Sequence, residues 1–535
     1  MKKLSPLEVL RRCPPHGYTL HGLLQSRAAG DPDRILMIYE DRTWSWLDFI
    51  EDCERLGAVL VEAGVRPGDR VAILSANSPA HPLLLFACAR IGAIFVPINP
   101  DLGVDEARYV LEHAEPRAVV CSHSTLAVAR AACTNITQTP WFAMADAEMD
   151  SIPALLEIEP AGPLAAELPA PDAPCVIIYS SGTTGFPKGV LHSQRNYVLS
   201  AEVHVGRIRL QPSGRMLCML PLYHVNALFY AIGGAVTAGA SVLLLNKFSA
   251  SRFWRTVHDA GITHTTIMAA VGGILAQRPR DEFVPGHRLG VVNGSGFNRE
   301  TMRAFNEEFG IPIIIEGYGM SEIPAALGNP HDGPRKLGSL GIPCTHPDPE
   351  FPWIELRIVD DAGSDVAPGE IGELVARAPN VMLGYYRDPA QTEASFRDGW
   401  FLTGDLVRQD DDGYFFFVAR KKDIIRRRGE NISGAELDRV IGDHPAVSEV
   451  AAIPVEAELG EEILAVIVPK SGASLRAADV REWCAQRLAP HKVPRFVLFI
   501  EELPHTSTHK IAKFVLREKS AELRAKADDR EAQSV

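Results

Sequence analysis

The chain has 535 residues, 46% of them hydrophobic and 23% charged, with a formal net charge of −13. That length supports at least two domains and a sizeable core, and the composition is that of a soluble globular protein. The acidic balance argues against a general affinity for nucleic acid, whose binding rests on basic patches, yet leaves room for an anionic small molecule in a locally positive pocket.

Nine cysteines are scattered without a Cys-x-x-Cys pair, and several, such as Cys88 in LLLFACARIGAIFVP, sit inside apolar runs. They read as buried, reduced thiols of a cytoplasmic protein. The opening MKKLSPLEVLRRC has two lysines but no apolar stretch behind them, so it is not a signal peptide. No apolar run approaches the ~20 residues of a membrane span.

In chain order, RVAILSA (70–76) predicts a buried strand, SPAHPLLLFACARIGA (78–93) a helix and IFVPINP (94–100) the next strand. The same rhythm returns in RAVVCS (117–122), CVIIYS (175–180), SVLLLN (241–246), LGVVNG (289–294) and IPIIIEGYG (311–319). Strand, helix, strand in this order implies an α/β fold with mostly parallel, helix-covered sheets. EIEPAGPLAAELPAPDAP (157–174) reads as an extended surface connector. From about 350 the texture changes: WIELRIVDDAGSDVAPGEIGELVARAP (353–379) predicts a small antiparallel β unit. The basic run RKKDIIRRR (420–428) follows, and two amphipathic helices with strands between them make a small α+β C-terminal domain. The expected division is a domain over 1–420 and a mobile one over 421–535, with a polar, frayed tail from about 520.

Directly after CVII stands YSSGTTGFPKGV (179–190). Its glycines let the backbone turn tightly and approach a ligand. The hydroxyls of Ser180, Ser181, Thr183 and Thr184 can donate to anionic oxygens, and Lys188 adds a positive charge, a set that suits a polyphosphate. A Walker A loop needs Gly-Lys followed by Ser or Thr; here Lys188 follows Pro187 and precedes Gly189, so that pattern fails.

This loop resembles the phosphate-binding signature of the adenylate-forming enzymes: acyl-CoA synthetases, peptide-synthetase adenylation domains and beetle luciferases. Five further segments resemble the family's motifs in order: PLYHVNAL, EGYGMSE (316–322), TGD (403–405), RKKDIIRRRGENIS (420–433) and PHTSTHKIAK (504–513). The resemblance implies an ATP-dependent acid–CoA ligase of the acyl-CoA synthetase branch, using ATP, Mg²⁺ and coenzyme A. A carboxylate and ATP give acyl-AMP and pyrophosphate; the CoA thiol then gives acyl-CoA and AMP.

Two anions must meet in the first step, so charge neutralisation and positioning carry it. By the resemblance, Ser180, Ser181, Gly182, Thr183, Thr184, Gly185 and Lys188 hold the phosphates, and Lys510 contacts the carboxylate and the α-phosphate. Lys510 follows His509 where the family usually has glycine. Glu322, with Thr184, is expected at the magnesium; Ser321 replaces the family's usual threonine and keeps the hydroxyl. Tyr318 is expected against adenine, flanked by Glu316, Gly317 and Gly319, with Asp405 on the ribose hydroxyls and Arg420 on ribose or phosphate. Lys422 aligns with the hinge about which the C-terminal domain rotates. Arg428, Gly429 and Glu430 resemble the turn beside the pantetheine tunnel.

The resemblance places His224, Asn226, Gly294, Ser295, Gly296 and Ala325 at the acyl pocket. These segments are apolar and rich in small residues and contain no Arg or Lys, which points to a medium-sized or bulky apolar monocarboxylic acid. Two rivals stay open. One is a stand-alone adenylation enzyme passing acyl-AMP to a separate carrier-protein thiol or partner enzyme, which His509 keeps alive. The other is a nucleotide-binding sensor without chemistry. Dimers are common in the family, so a homodimer is an analogy only.

Overall fold

The computed structural model describes residues 3–136, 138, 140–180, 187–427, 430–457, 460–505 and 511–530, with backbone alone at 430 and 431. Met1–Ser180, Lys188–Glu355 and Arg377–Phe401 form one compact unit; Leu356–Ala376 and Leu402–Val535 belong to a second.

The first unit holds two large sheets. The seven-stranded one runs Gly384–Tyr385, Lys188–Ser193, Pro174–Ser180, Ile94–Ile98, Arg70–Leu74, Ala118–Cys121, Trp141–Met144 from edge to edge. Its strands from Pro174–Ser180 to Trp141–Met144 are parallel, and the other two add antiparallel. In the nine-stranded sheet, six neighbours are parallel, from Ile35–Tyr39 through Ser241–Leu244, Arg215–Cys218, His264–Thr266 and Val291–Gly294 to Ile313–Tyr318. The expected α/β class is therefore the observed one, with the antiparallel strands confined to the ends of each sheet.

The helix Ala80–Ile91 is apolar on every side, and eleven of its side chains are buried. Such a helix belongs inside a core rather than on a surface. Its Phe86 meets Tyr197 of the helix Gln194–Ile208 edge to face at 6.4 Å, and one continuous core links both helices to both sheets. Gly92 ends the helix at φ +75°, which any other L-residue would resist.

Trp400–Gln409 and Phe415–Arg420 pair antiparallel, and the five-stranded sheet they belong to also holds Glu355–Val359 and Gly372–Arg377 from the predicted β unit. Further on, Val447–Ala457 and Gly460–Pro469 form a long hairpin, and Phe496–Phe499 adds parallel to it. Helices Gly434–Gly442 and Ala477–Ala485 share its core. All nine cysteines are unpaired and eight are buried. Among the described residues, no helix is long and apolar enough to cross a membrane.

The tail departs from expectation. Residues Ser520–Lys526 are a helix, and Asp528–Asp529 adds antiparallel to Phe496–Phe499. The physical reason is long-range charge pairing that local polarity hides. Arg481, 8% exposed, donates to Asp528 Oδ1 at 2.6 Å and to the Asp528 carbonyl at 2.8 Å, and Arg495 pairs with Asp529 at 3.0 Å. Replacing Arg481 by Met should remove its two donations to Asp528 at a cost of about 1–3 kcal/mol. Hydrogen exchange should then show the 520–530 amides losing protection while the 447–469 hairpin keeps its own; unchanged protection would mean the tail is held otherwise.

Candidate active site

Ser180 and Lys188 are Cα partners at the end of the Pro174–Ser180/Lys188–Ser193 pair, so they flank residues 181–187. Alternation along the second strand puts Lys188, Val190 and His192 on one face. Tyr385 pairs with Val190 and shares that face. Lys188 Nζ accordingly lies 5.1 Å from the centre of the Tyr385 ring and 2.5 Å from Gln391 Oε1. The Tyr385 hydroxyl donates to Glu322 Oε1 at 2.8 Å. Burial, then the Glu322 charge, pushes the Tyr385 hydroxyl far above its ordinary pKa, so it remains a donor. Glu322 is 6% exposed, and its carbonyl accepts from the Met382 N–H at 2.8 Å.

His192 is fully buried, and its Nε2 lies 2.7 Å from the Ser321 carbonyl. With Asn196 Nδ2 3.4 Å from Nδ1, the neutral ring carries its proton on Nε2 and donates to Ser321. Burial drives its pKa down to about 4, the Ser321 bond opposing in part. Strand Lys188–Ser193 thus grips the backbone at 321 directly and the side chain at 322 through Tyr385.

Glu316 is the partner of Gly294, the last residue of the neighbouring parallel strand. Glu316 is 4% exposed and its Oε1 accepts from the Phe297 N–H at 3.0 Å. Burial raises its pKa, while the N–H groups of Phe297, Gly338 and Gly296 restrain the rise. This carboxylate spans the turn Ser295–Gly296 from behind; Gly296 takes φ +76° there. A side chain at Gly294 would meet the Ile267 carbonyl and the Phe297 ring at 2.4 Å. Gly317 packs under Arg207, and a Cβ at Gly319 would come within 2.8 Å of the Ala325 nitrogen. Tyr318 pairs with Leu327 and is half-buried.

Asn226 opens a π-helical segment, Asn226–Gly233, an uncommon conformation that recurs at functional sites. Its Nδ2 lies 3.9 Å from Met268 Sδ, whereas its Oδ1 is buried without a hydrogen-bond partner. One helical turn on, the Tyr230 hydroxyl accepts from the Ala325 N–H at 2.8 Å. Ala325 takes φ +55°, a strained conformation for a residue with a side chain, and Tyr230 holds it there. His224 lies one residue before Val225, its ring 4.5 Å from that of Tyr223. The structure so joins Asn226, through its helix, to Ala325, and Gly294, Ser295 and Gly296 to Glu316.

In the second unit, Asp405 is fully buried and pairs with Arg420 Nε at 2.8 Å across an antiparallel ladder. Gly404, at φ +69°, donates its N–H to Glu373 Oε1 at 3.1 Å. Lys421 pairs with Glu373 and Asp361 at 2.8 and 2.9 Å, and Asp423 pairs with Arg517. Within the turn Lys421–Asp423, Lys422 is the exposed residue. Ser181, Gly182, Thr183, Thr184, Gly185, Arg428, Gly429 and Lys510 lie outside the described residues, as does the side chain of Glu430.

The sequence alone misses Tyr385, His192, Tyr230 and Gln391. The alternation Lys188, Val190, His192 is the one signal for His192; Tyr385, Tyr230 and Gln391 are brought in by contacts spanning 63 to 203 residues of chain, which local pattern does not carry. Those separations are the ones of the Tyr385–Glu322, Tyr230–Ala325 and Lys188–Gln391 contacts.

The buried histidines have a pH consequence. His192 and His81, each near pKa 4 in the fold, charge at about 6.5 once unfolded. Their neutral burial stabilises the fold above pH 6.5, and that contribution is lost as pH falls towards 4, where the unfolded chain binds more protons. Urea midpoints should drop steadily from pH 7 to 5, and His192→Gln should flatten that decline. An equally steep acid limb in the variant would remove His192 as its source.

A family model described as "AMP-binding enzyme" matches residues 24–386, and one described as "AMP-binding enzyme C-terminal domain" matches residues 436–510. An indoleacetate–CoA ligase of Aromatoleum aromaticum is 35% identical over 500 residues, covering 92% of this chain and 96% of that protein. A feruloyl-CoA synthase of an Amycolatopsis species is 34% identical over 504 residues, covering 92% and 97%. Among solved structures, ATP-bound MatB from Rhodopseudomonas palustris superposes with a TM-score of 0.83 at 28% identity, covering 94% of this chain and 99% of that one. These matches span both units, and the chain belongs to the AMP-binding enzyme family, within its acid–CoA ligases.

Proposed function

We propose that this ATP-dependent acid–CoA ligase acts on a medium-sized or bulky apolar monocarboxylic acid that carries one hydrogen-bond donor. The observation that carries the reading is the buried, unpartnered Oδ1 of Asn226, in the π-helical segment whose Tyr230 holds Ala325; the pocket segments that the resemblance implies, 224–234, 293–297 and 319–326, are rich in small and apolar residues. A lone buried acceptor in apolar surroundings costs about 1–3 kcal/mol unless a donor meets it, and a ring N–H or O–H of the acid would do so. No Arg or Lys in those segments can meet a second carboxylate. Indoleacetate and ferulate, named for two relatives, fit this description.

ATP and acid give acyl-AMP and pyrophosphate, and the CoA thiol displaces AMP. Glu322 and the Ser321 hydroxyl are hard oxygen donors that suit Mg²⁺, which neutralises phosphate charge when bound. In the proposed assignment Lys188 and the 180–185 segment receive the β- and γ-phosphates, Asp405 and Arg420 the ribose, and Lys510 the carboxylate and α-phosphate. Lys422, exposed between paired neighbours, is the hinge between domains 1–420 and 421–535, and Arg428, Gly429 and Glu430 face CoA. Eight buried thiols support a reducing, cytoplasmic setting. His509 in place of the family's glycine favours a second reading, transfer to a carrier-protein thiol.

A panel of acids assayed with and without CoA, reading AMP release and product mass, tests the function. Indole- and phenol-bearing acids should give CoA thioesters, and Asn226→Leu should cost them roughly tenfold in kcat/KM while sparing the analogues that lack the donor. Preference for a dicarboxylate, or acyl transfer to a carrier thiol alone, would replace this reading.

Tyr385→Phe tests the metal side of the site. Losing one hydrogen bond to a carboxylate is worth about 1.5–3 kcal/mol, so adenylate formation should fall at least tenfold and need more Mg²⁺ for half-maximal rate. An unchanged Mg²⁺ dependence would show that Glu322 does not act through the metal.

A further inference from the structure

A surface cavity of about 420 Å³ opens on the first unit, lined by Leu4, Arg12, Arg34, Ile35, Arg215 and Ser241 among others, with no Asp or Glu in its wall. Arg215 and Ser241 are partners at the first residues of adjacent parallel strands. The candidate active-site groups follow the opposite ends of strands in this sheet: His224 comes after Arg215–Cys218, and Gly294 and Tyr318 close their own strands. A strand of this length separates the two regions by ~13 Å or more.

The guanidinium groups here are incompletely used. Arg34 donates to the carbonyls of Pro212 and Gly239, but its Nε is buried with no partner. Arg215 reaches Ser241 Oγ at 3.0 Å and the Ala260 carbonyl at 2.6 Å, so its hydrogen bonds go to neutral oxygens. Arg12 is exposed and makes no hydrogen bond or ion pair among the described residues. Burial and then the Arg12 charge lower the pKa of Arg34, with Asp31 opposing in part. Like charges gathered against a wall without carboxylates are relieved by an oxyanion, and the planar guanidinium fork suits phosphate. Leu4 and the exposed Ile35 supply an apolar wall beside them.

We propose that this cavity is a second ligand site, for a small organic phosphate whose phosphoryl group lies among Arg12, Arg34 and Arg215 and whose apolar part rests on Leu4 and Ile35. The full-length protein, its nucleotide site saturated with AMP, is titrated calorimetrically with phenyl phosphate and with inorganic phosphate. One additional saturable site for phenyl phosphate is expected, with inorganic phosphate competing for it. Arg12→Glu should weaken it at least tenfold while leaving the KM values for ATP and CoA unchanged. No saturable binding under AMP, no competition by inorganic phosphate, or equal affinity in Arg12→Glu overturns the proposal.

Discussion

The register of one short strand organises the site. Lys188–Ser193 is paired on both sides, against Pro174–Ser180 and against Gly384–Tyr385. Pairing sets which residues share a face, so Lys188, His192 and Tyr385 all point one way. A slip by one residue would turn all three to the other side. Gly189 guards that register: a Cβ there would press within 2.9 Å of Ile177 and 3.4 Å of Tyr179 and Tyr386. His113, bonded to the Tyr179 hydroxyl at 2.7 Å, fills the space behind. Position of the lysine, of the loop at 321 and of the carboxylate at 322 therefore all descend from one ladder.

Two buried carboxylates stand near each other in sequence and serve different ends. Glu316 accepts from main-chain N–H groups of the 296–297 turn and of Gly338, which spends its oxygens on the backbone. Glu322 has a side-chain donor, Tyr385, on one oxygen. A carboxylate satisfied by the backbone shapes a turn; one held by a single hydroxyl is oriented and still able to meet a cation. Small residues make room in front of both: Gly294, Gly317 and Gly319 each lie where a Cβ would strike main chain or a guanidinium.

The basic run at 420 has a comparable economy of charge. Arg420, Lys421 and Asp423 are each drawn into ion pairs within their own unit, which fixes the ends of the turn Lys421–Asp423. Lys422 is left towards solvent. A turn anchored at both ends is compatible with the pivot proposed at Lys422.

The sequence by itself determined the class of fold and the family, and it named the segments of the candidate site. Apolar runs such as AVVC and LGVVNG fall on parallel strands because a strand covered on both faces needs apolar side chains throughout, and the hydroxyl- and glycine-rich loop follows the strand its apolar lead announces. Motif order is what singles out Glu322, Asp405 and Lys422 as candidates, since local composition marks them. Only the tertiary structure decided that Tyr385 holds Glu322, that His192 holds Ser321, that Arg420 is paired with Asp405, and that a tail of polar residues is a helix and a strand. These are contacts between residues distant in the chain or on facing strands, and they depend on register and crossover, which periodicity along one segment does not encode.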